Sequence, residues 1–290
     1  MKLLTFDVGG TSVKYGICDN GQIDHHGIFP TPITIEEFYE QLVAVFESII
    51  CQHIIKGVAF SCPGAVNQKT GIIEGCSAVP YIHDFPIKDK FEELFQLPVT
   101  IENDANCAAL AEVNFGNAKG CENAILLVLG TGVGGSIIIN GKVYHGSHLF
   151  GGEFGFMAMN DELDTFSALG TVVNMAKRYN DRIPGVAELS GKDILALADQ
   201  GAEMALEERK IFIKSVARSI FNLQHAIDPE VILIGGGVSN YPLLLPLIQE
   251  ELDTIYQKLT HTTLYPTVKL CQFKNDANLI GAYVNFLQQK

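Results

Sequence analysis

The chain has 290 residues, 47% of them hydrophobic, and a net charge of −13. That length suits one large domain or two modest ones with a sizeable core. The acidic balance excludes nucleic acid as the main partner, since backbone phosphates demand a basic stripe, but it allows a small anionic ligand held by a few local donors.

In chain order, MKLLTFDVGG reads as a strand whose apolar run breaks at Asp7 and two glycines, so no secretory leader is expected. SVKYGICD is a second strand across Gly9–Gly10, and DNGQI turns into a third. TIEEFYEQLVAVFESIICQH has helical period, with Thr34 and Glu37 spaced as a capping box. IIKGVAFSCPG is a buried strand, DKFEELFQL a short helix, PVTIEN a strand, and DANCAALAEVNFG a helix that begins at Asp104. NAILLVLGTGVGGSIIINGKVYHG then repeats the opening layout of strand, glycine turn, strand and Asn-Gly turn. Helices are expected over 165–180, 191–201 and 205–227, then the strand EVILIGGGVS, a helix near 241–258, the strand TVKLCQF and a last helix over 276–288. Strands alternating with helices predict an α/β class, with a boundary near 105–120. No apolar stretch reaches the length of a membrane span. The seven cysteines are scattered and form no CxxC pair, which argues against a disulfide framework or a cysteine-built zinc site and for a reducing cytoplasm.

Three glycine-rich turns follow apolar strands, at Gly9–Thr11, Gly130–Gly135 and Gly235–Gly237. Glycine lets a backbone approach a phosphate closely and aim several N–H groups at it. Thr11 and Thr131 add hydroxyls, and Lys14 a charge. None matches the P-loop spacing or the dinucleotide GxGxxG in its strand-then-helix setting, so singly each reads as a tight hairpin. In sequence they form a specific order: two strand–hairpin–strand turns and then a strand–GGG turn.

That order resembles the actin-like, ribonuclease-H-like ATPase superfamily, and more narrowly the sugar kinases of the ROK family. The resemblance rests on DVGGTSVKYG (7–16), SCPGAV (61–66), ENDANCAALAE (102–112), LGTGVGGSIIINGKVYHG (129–146), GGEFG (151–155) and LIGGG (233–237). It implies two domains around a cleft, a smaller one of 1–115 plus 276–290 and a larger one of 116–275. It implies ATP with Mg2+, a homodimer, and no nucleic-acid or membrane partner. By resemblance, Gly9, Gly10, Thr11 and Lys14 lie at the ATP phosphates, and Asp7 helps hold magnesium. Gly130, Thr131, Gly132 and Gly134 form the second phosphate hairpin, and Gly236 and Gly237 lie against the adenosine. Asp7 sits between Phe6 and Val8, where a charge is costly without a partner.

Asp104 stands where these kinases have their catalytic base, since a sugar hydroxyl needs a carboxylate to take its proton as it attacks the γ-phosphoryl group. From the residues alone, Asp104 is equally a helix N-cap. The resemblance further implies sugar contacts from Gly64, Asn103, Asp104 and Glu153. Most of the family reads E-x-G-H before a zinc-binding cysteine cluster; here Phe156 replaces the histidine and the following stretch has no cysteine, so no zinc site is expected. Phe156, Met157, Met159, Leu163 and Phe166 are available to hold this segment by apolar packing, the Phe156 ring being equally a face on which a sugar ring or an aglycone can lie, and Thr165 falls near a second sugar-binding glutamate. His145 and His148 read as ordinary polar loop residues. The expected function is ATP-dependent phosphorylation of a hexose 6-hydroxyl, glucose or β-glucoside favoured, with an N-acetylmannosamine kinase or a catalytically inactive sugar sensor as alternatives. A repressor is disfavoured, because Asp7 opens the sugar-binding body with no basic recognition helix ahead of it.

Overall fold

In the computed structural model, which describes residues 1–185, 187–259 and 261–290, the first apolar run is β1 (Leu3–Val8), followed by β2 (Ser12–Asp19). Asn20 and Gly21, with φ of 51° and 78°, turn the chain into β3 (Gln22–Pro30), as a type I′ hairpin requires. Thr34 caps α1 (Ile35–Ile50), its Oγ1 accepting the Glu37 N–H at 3.3 Å, the threonine half of the expected box. Buried β4 (Val58–Cys62) leads to a small hairpin of β5 (Ala65–Asn67) and β6 (Ile72–Glu74). After α2 (Ile87–Phe95), β7 (Val99–Asn103) runs directly into α3 (Asp104–Phe115).

The sheet order is β3-β2-β1-β4-β7, with β1, β4 and β7 parallel. Period-two alternation gives its two faces opposite characters. On one face Phe6 stacks on Phe60 at 4.9 Å, and Phe60 on Phe91 of α2 at 4.1 Å. Each such ring contributes about 1.5–3 kcal/mol by leaving water. On the other face the register sets Asp7 beside Ser61 and Ser61 beside Glu102, a buried polar row across three strands. Buried polar groups are costly unless paired, so this row must find partners elsewhere in the chain.

A second sheet repeats the plan with β8 (Ala124–Leu129), β9 (Val133–Ile139) and β10 (Lys142–Val143), Asn140 and Gly141 making the same positive-φ turn. The helix expected over 165–180 is broken in two. α4 (Phe166–Leu169) ends at Gly170, and Thr171 then caps α5 (Val172–Asp181), its Oγ1 accepting the Asn174 N–H at 3.2 Å. A threonine that satisfies the first-turn donors this way favours a cap over a helix interior. There follow α6 (Gly191–Asp199), α7 (Glu203–Ile227), β11 (Val231–Gly235), α8 (Leu244–Lys258) and β12 (Val268–Leu270), in the order β10-β9-β8-β11-β12. Among the described residues no helix is long and apolar enough to cross a membrane.

The last helix, α9 (Ala277–Gln288), packs on α3. A Cβ at Gly281 would collide with the Cys107 carbonyl, so only glycine permits this approach. The chain thus forms two compact units: Met1–Gly120 with His145–Gly151 and Phe273–Lys290, and Cys121–Tyr144 with Gly152–Gln272.

Candidate active site

In the first unit the β1–β2 turn is held from its outer side. The Gly9 N–H donates to the Ser12 carbonyl at 3.1 Å, and the Gly9 carbonyl accepts from Thr31 Oγ1 at 2.5 Å. Gly10 and Thr11 are exposed, so their N–H groups and the Thr11 hydroxyl can meet an anion. A Cβ on Gly10 would lie 2.5 Å from the Ala78 Cβ, which restricts the position to glycine. Asp7, 8% exposed, accepts from Ser61 Oγ and from Asn278 Nδ2, both on Oδ1 at 2.9 Å. Lys14 stands opposite Asp7 in the antiparallel register, its Nζ 3.8 Å from Oδ2.

At the β7–α3 junction the structure separates two roles that the sequence left together. The N-cap of α3 is Asn103, whose Oδ1 accepts the Asn106 N–H at 3.2 Å. Asp104 is the first helical residue, exposed, with Oδ1 accepting the Ala105 N–H at 2.8 Å. The capping explanation for Asp104 therefore falls, and its carboxylate stands at the positive end of the helix dipole. Asn103 also donates Nδ2 to the Gly64 carbonyl at 3.0 Å, which ties two of the expected sugar residues to each other. Gly64 has φ 99°, and a Cβ there would be 2.8 Å from His83 Cε1.

Beneath the junction lies a residue that sequence reading missed. Glu102 is 0% exposed. Its Oε1 accepts from the Asn103 N–H at 2.6 Å and from Asn106 Nδ2 at 2.9 Å; its Oε2 accepts from His145 Nε2 at 2.8 Å and from Gln68 Nε2. The bond to Glu102 pushes the His145 ring above its ordinary pKa despite burial, which acts the other way. His145 is thus not the ordinary loop residue expected. His148 is exposed, as expected. No local signal marks Glu102, since its burial follows from its place in the sheet.

In the second unit, β8 and β11 are parallel neighbours, with Val128 opposite Gly235, so both glycine turns leave adjacent strand ends. The Gly130 N–H donates to the Gly132 carbonyl at 2.9 Å, and the Val133 N–H to Ser167 Oγ at 3.0 Å, which closes the turn beneath exposed Thr131. Ser167 was also invisible in the sequence. Gly236 has φ 92°, and a Cβ there would meet the Leu129 backbone, whereas Gly134 and Gly237 face open space. Glu153 is flanked by glycines that the packing demands. A Cβ at Gly152 would lie 2.6 Å from the Gly135 carbonyl, and one at Gly155 would collide with that of Val133. Glu153 is exposed, yet desolvation raises its carboxyl above the ordinary glutamate range. Leu163 is not the packing residue expected, and of the two readings of Phe156 the core one falls: each side chain is 73% exposed. The single turn Phe154–Phe156 buries Phe154 and faces Phe156 outward, and Met159 and Phe166 fill the interior. Thr165 caps α4, its Oγ1 accepting the Ala168 N–H at 3.2 Å.

The donor set fits ATP with magnesium. A lone buried-edge carboxylate at Asp7 suits an ion that keeps most of its ligands as water and phosphate. Among the described residues no three His, Cys, Asp or Glu side chains stand together as metal ligands.

The chain matches the ROK family over residues 3–289. It belongs to the ROK family. A β-glucoside kinase of Listeria monocytogenes is 32% identical, with 100% of this chain and 99% of that protein aligned. A ROK family protein from Streptococcus pneumoniae, solved in complex with sucrose, superposes with TM-score 0.90 at 36% identity, covering 100% of this chain and 99% of that one. A ROK family glucokinase from Streptomyces griseus, solved with glucose and AMPPNP, gives TM-score 0.79 at 25% identity over 100% of both chains. The two-domain actin-like fold expected from the motifs is the fold of this ROK protein.

Proposed function

We propose that this ROK protein phosphorylates the 6-hydroxyl of a glucose-type ring and tolerates a substituent at the anomeric carbon. The reaction class is plain: it is an ATP-dependent carbohydrate kinase. The observation that carries the proposal is that Asn103 caps α3 while Asp104 stands exposed beside it. Asp104 is the general base; its carboxylate takes the proton of the attacking hydroxyl as the new P–O bond forms and ADP leaves. Asn103, Gly64 and Glu153 orient the sugar. In the first unit Gly10, Thr11 and Lys14 serve the phosphates and Gly9 shapes their turn, its N–H closing on Ser12; in the second Thr131, Gly132 and Gly134 do so and Gly130 shapes the turn, its N–H closing on Gly132, while Gly236 and Gly237 receive the adenosine. Magnesium, held through Asp7, would neutralise charge on the phosphates. The 32% identity to a β-glucoside kinase supports the glucoside reading, as does the outward Phe156 ring three residues from Glu153, an apolar face on which an aglycone can rest. A cytoplasmic homodimer is part of the same proposal, in keeping with seven free cysteines for the compartment and the family for the dimer.

The test is ADP release from Mg-ATP with glucose, mannose, N-acetylmannosamine, cellobiose and gentiobiose. A glucoside is expected to have the highest kcat/KM. If N-acetylmannosamine exceeds every glucoside about tenfold, or about 1.4 kcal/mol of transition-state binding, the glucoside assignment is wrong. Sugar binding without ADP release would instead mark an inactive sensor.

A further inference from the structure

Glu102 has no part in the reaction just described, yet it is a fully buried carboxylate with four donors around it. An unpaired carboxylate in that place would be strongly destabilising, so its surroundings are built to hold it. Two of the donors bracket Asp104. The Asn103 N–H precedes it and Asn106 Nδ2 follows it, and both bind the same oxygen, Oε1, at 2.6 and 2.9 Å. The other oxygen is aimed by Gln68 and by His145, the latter at 2.8 Å. Gln68 is itself fixed, its Nε2 also donating to Asn285 Oδ1 of α9 at 2.9 Å.

His145 reaches this place from an unusual direction. Residues on both sides of 145–151 belong to the second unit, whereas the seven residues themselves belong to the first. The loop closes on itself, the Gly151 N–H donating to the His145 carbonyl at 2.9 Å, with Gly146 and Leu149 at φ 74° and 64°. A side-chain hydrogen bond leaves the loop from His145 to Glu102. Cys62 and Cys107 are buried nearby, their thiols pushed well up by burial and by the negative charges of Glu102, Asp7 and Asp104, so they remain neutral.

We infer that Glu102 and His145 are a positioning pair: Glu102 braces the first turn of α3 from below, His145 fixes the Glu102 carboxylate, and Asp104 is thereby held at the sugar hydroxyl. Neither residue touches substrate. Misplacing a general base by a fraction of an ångström lowers the rate of the chemical step more than it weakens substrate binding. The inference rests on the reading of Asp104 as the base.

The experiment is a double-mutant cycle with His145→Ala, His145→Gln, Glu102→Gln and Asp104→Asn, each measured for kcat, the two KM values and Tm. His145→Ala is expected to lower kcat about tenfold with both KM values within about twofold. His145→Gln, which keeps a donor near the Nε2 position, is expected to recover kcat to within about threefold. In the Asp104→Asn background His145→Ala should change the residual rate less than about twofold, because residues that act through one group are not additive. An unchanged kcat in His145→Ala overturns the pair, as does an equal loss in both backgrounds, or a His145→Gln enzyme as slow as His145→Ala. If His145→Ala does not fold, Glu102→Gln and His145→Gln carry the same comparison. If Asp104→Asn keeps its turnover, the base assignment fails and the pair with it; if that variant is inactive while His145→Ala and Glu102→Gln keep the wild-type kcat, the pair alone fails.

Discussion

Asn278 donates its side-chain amide to Asp7 across 271 residues of chain, at 2.9 Å. The final helix thereby completes a site begun by the first strand. Asp7 Oδ1 has two neutral donors, Asn278 and Ser61, and Lys14 lies toward Oδ2. Hydrogen bonds to a charged group contribute about 1.5–3 kcal/mol each. Asn278→Ala is therefore expected to destabilise the protein by about 1–3 kcal/mol and to raise the KM for Mg-ATP, read by urea denaturation and initial rates. A stability change below about 0.5 kcal/mol would show that the contact carries no weight.

Asp104→Asn keeps the size and the local geometry at the start of α3 but removes the base. Turnover should fall by about 10²–10⁴-fold while nucleotide binding, followed by calorimetry, persists. More than a tenth of the wild-type kcat would refute the assignment.

Gly10→Ala places a methyl 2.5 Å from the Ala78 Cβ. Overpacking of this kind costs about 1–3 kcal/mol. Adding Ala78→Gly to the same chain should recover most of the loss in both Tm and ATP affinity. No recovery would mean that the Gly10 conformation, rather than the contact, is what matters.

Stability should depend on pH through His145. Its folded pKa is raised by the bond to Glu102, above the ordinary imidazole value of about 6.5. The protonated ring binds its proton more tightly in the folded state, so the stabilisation is complete below that value and fades as pH rises through the raised one. Urea denaturation at pH 6 and pH 8 should show the wild type losing stability that His145→Ala never had. Equal pH slopes in the two proteins would exclude this role.

Much of the fold was legible because its signals are local. Asn-Gly at 20–21 and 140–141 sits in positive-φ turns, and the alternation of Leu4, Phe6 and Val8 marks one buried face. The break at Gly170–Thr171 was missed because apolar period runs through it, and a cap is decided by where the Thr171 hydroxyl points. Phe156 stayed open between core and surface for a related reason. An aromatic residue in a loop carries no period, and the turn that buries Phe154 leaves Phe156 outside.

The sequence by itself determined the strand–glycine-turn–strand order, the family that this order belongs to, and the places of Asp7, Asp104 and Glu153. These depend on short-range chemistry: glycine where backbone must come close, and a carboxylate at the end of a buried strand. The tertiary structure alone decided which residue caps α3 and which groups support each carboxylate. Asp7 with Asn278, and Glu102 with His145, are partners 271 and 43 residues apart. A hydrogen bond is made within about 3 Å, and distance in space along a folded chain bears no fixed relation to distance in sequence.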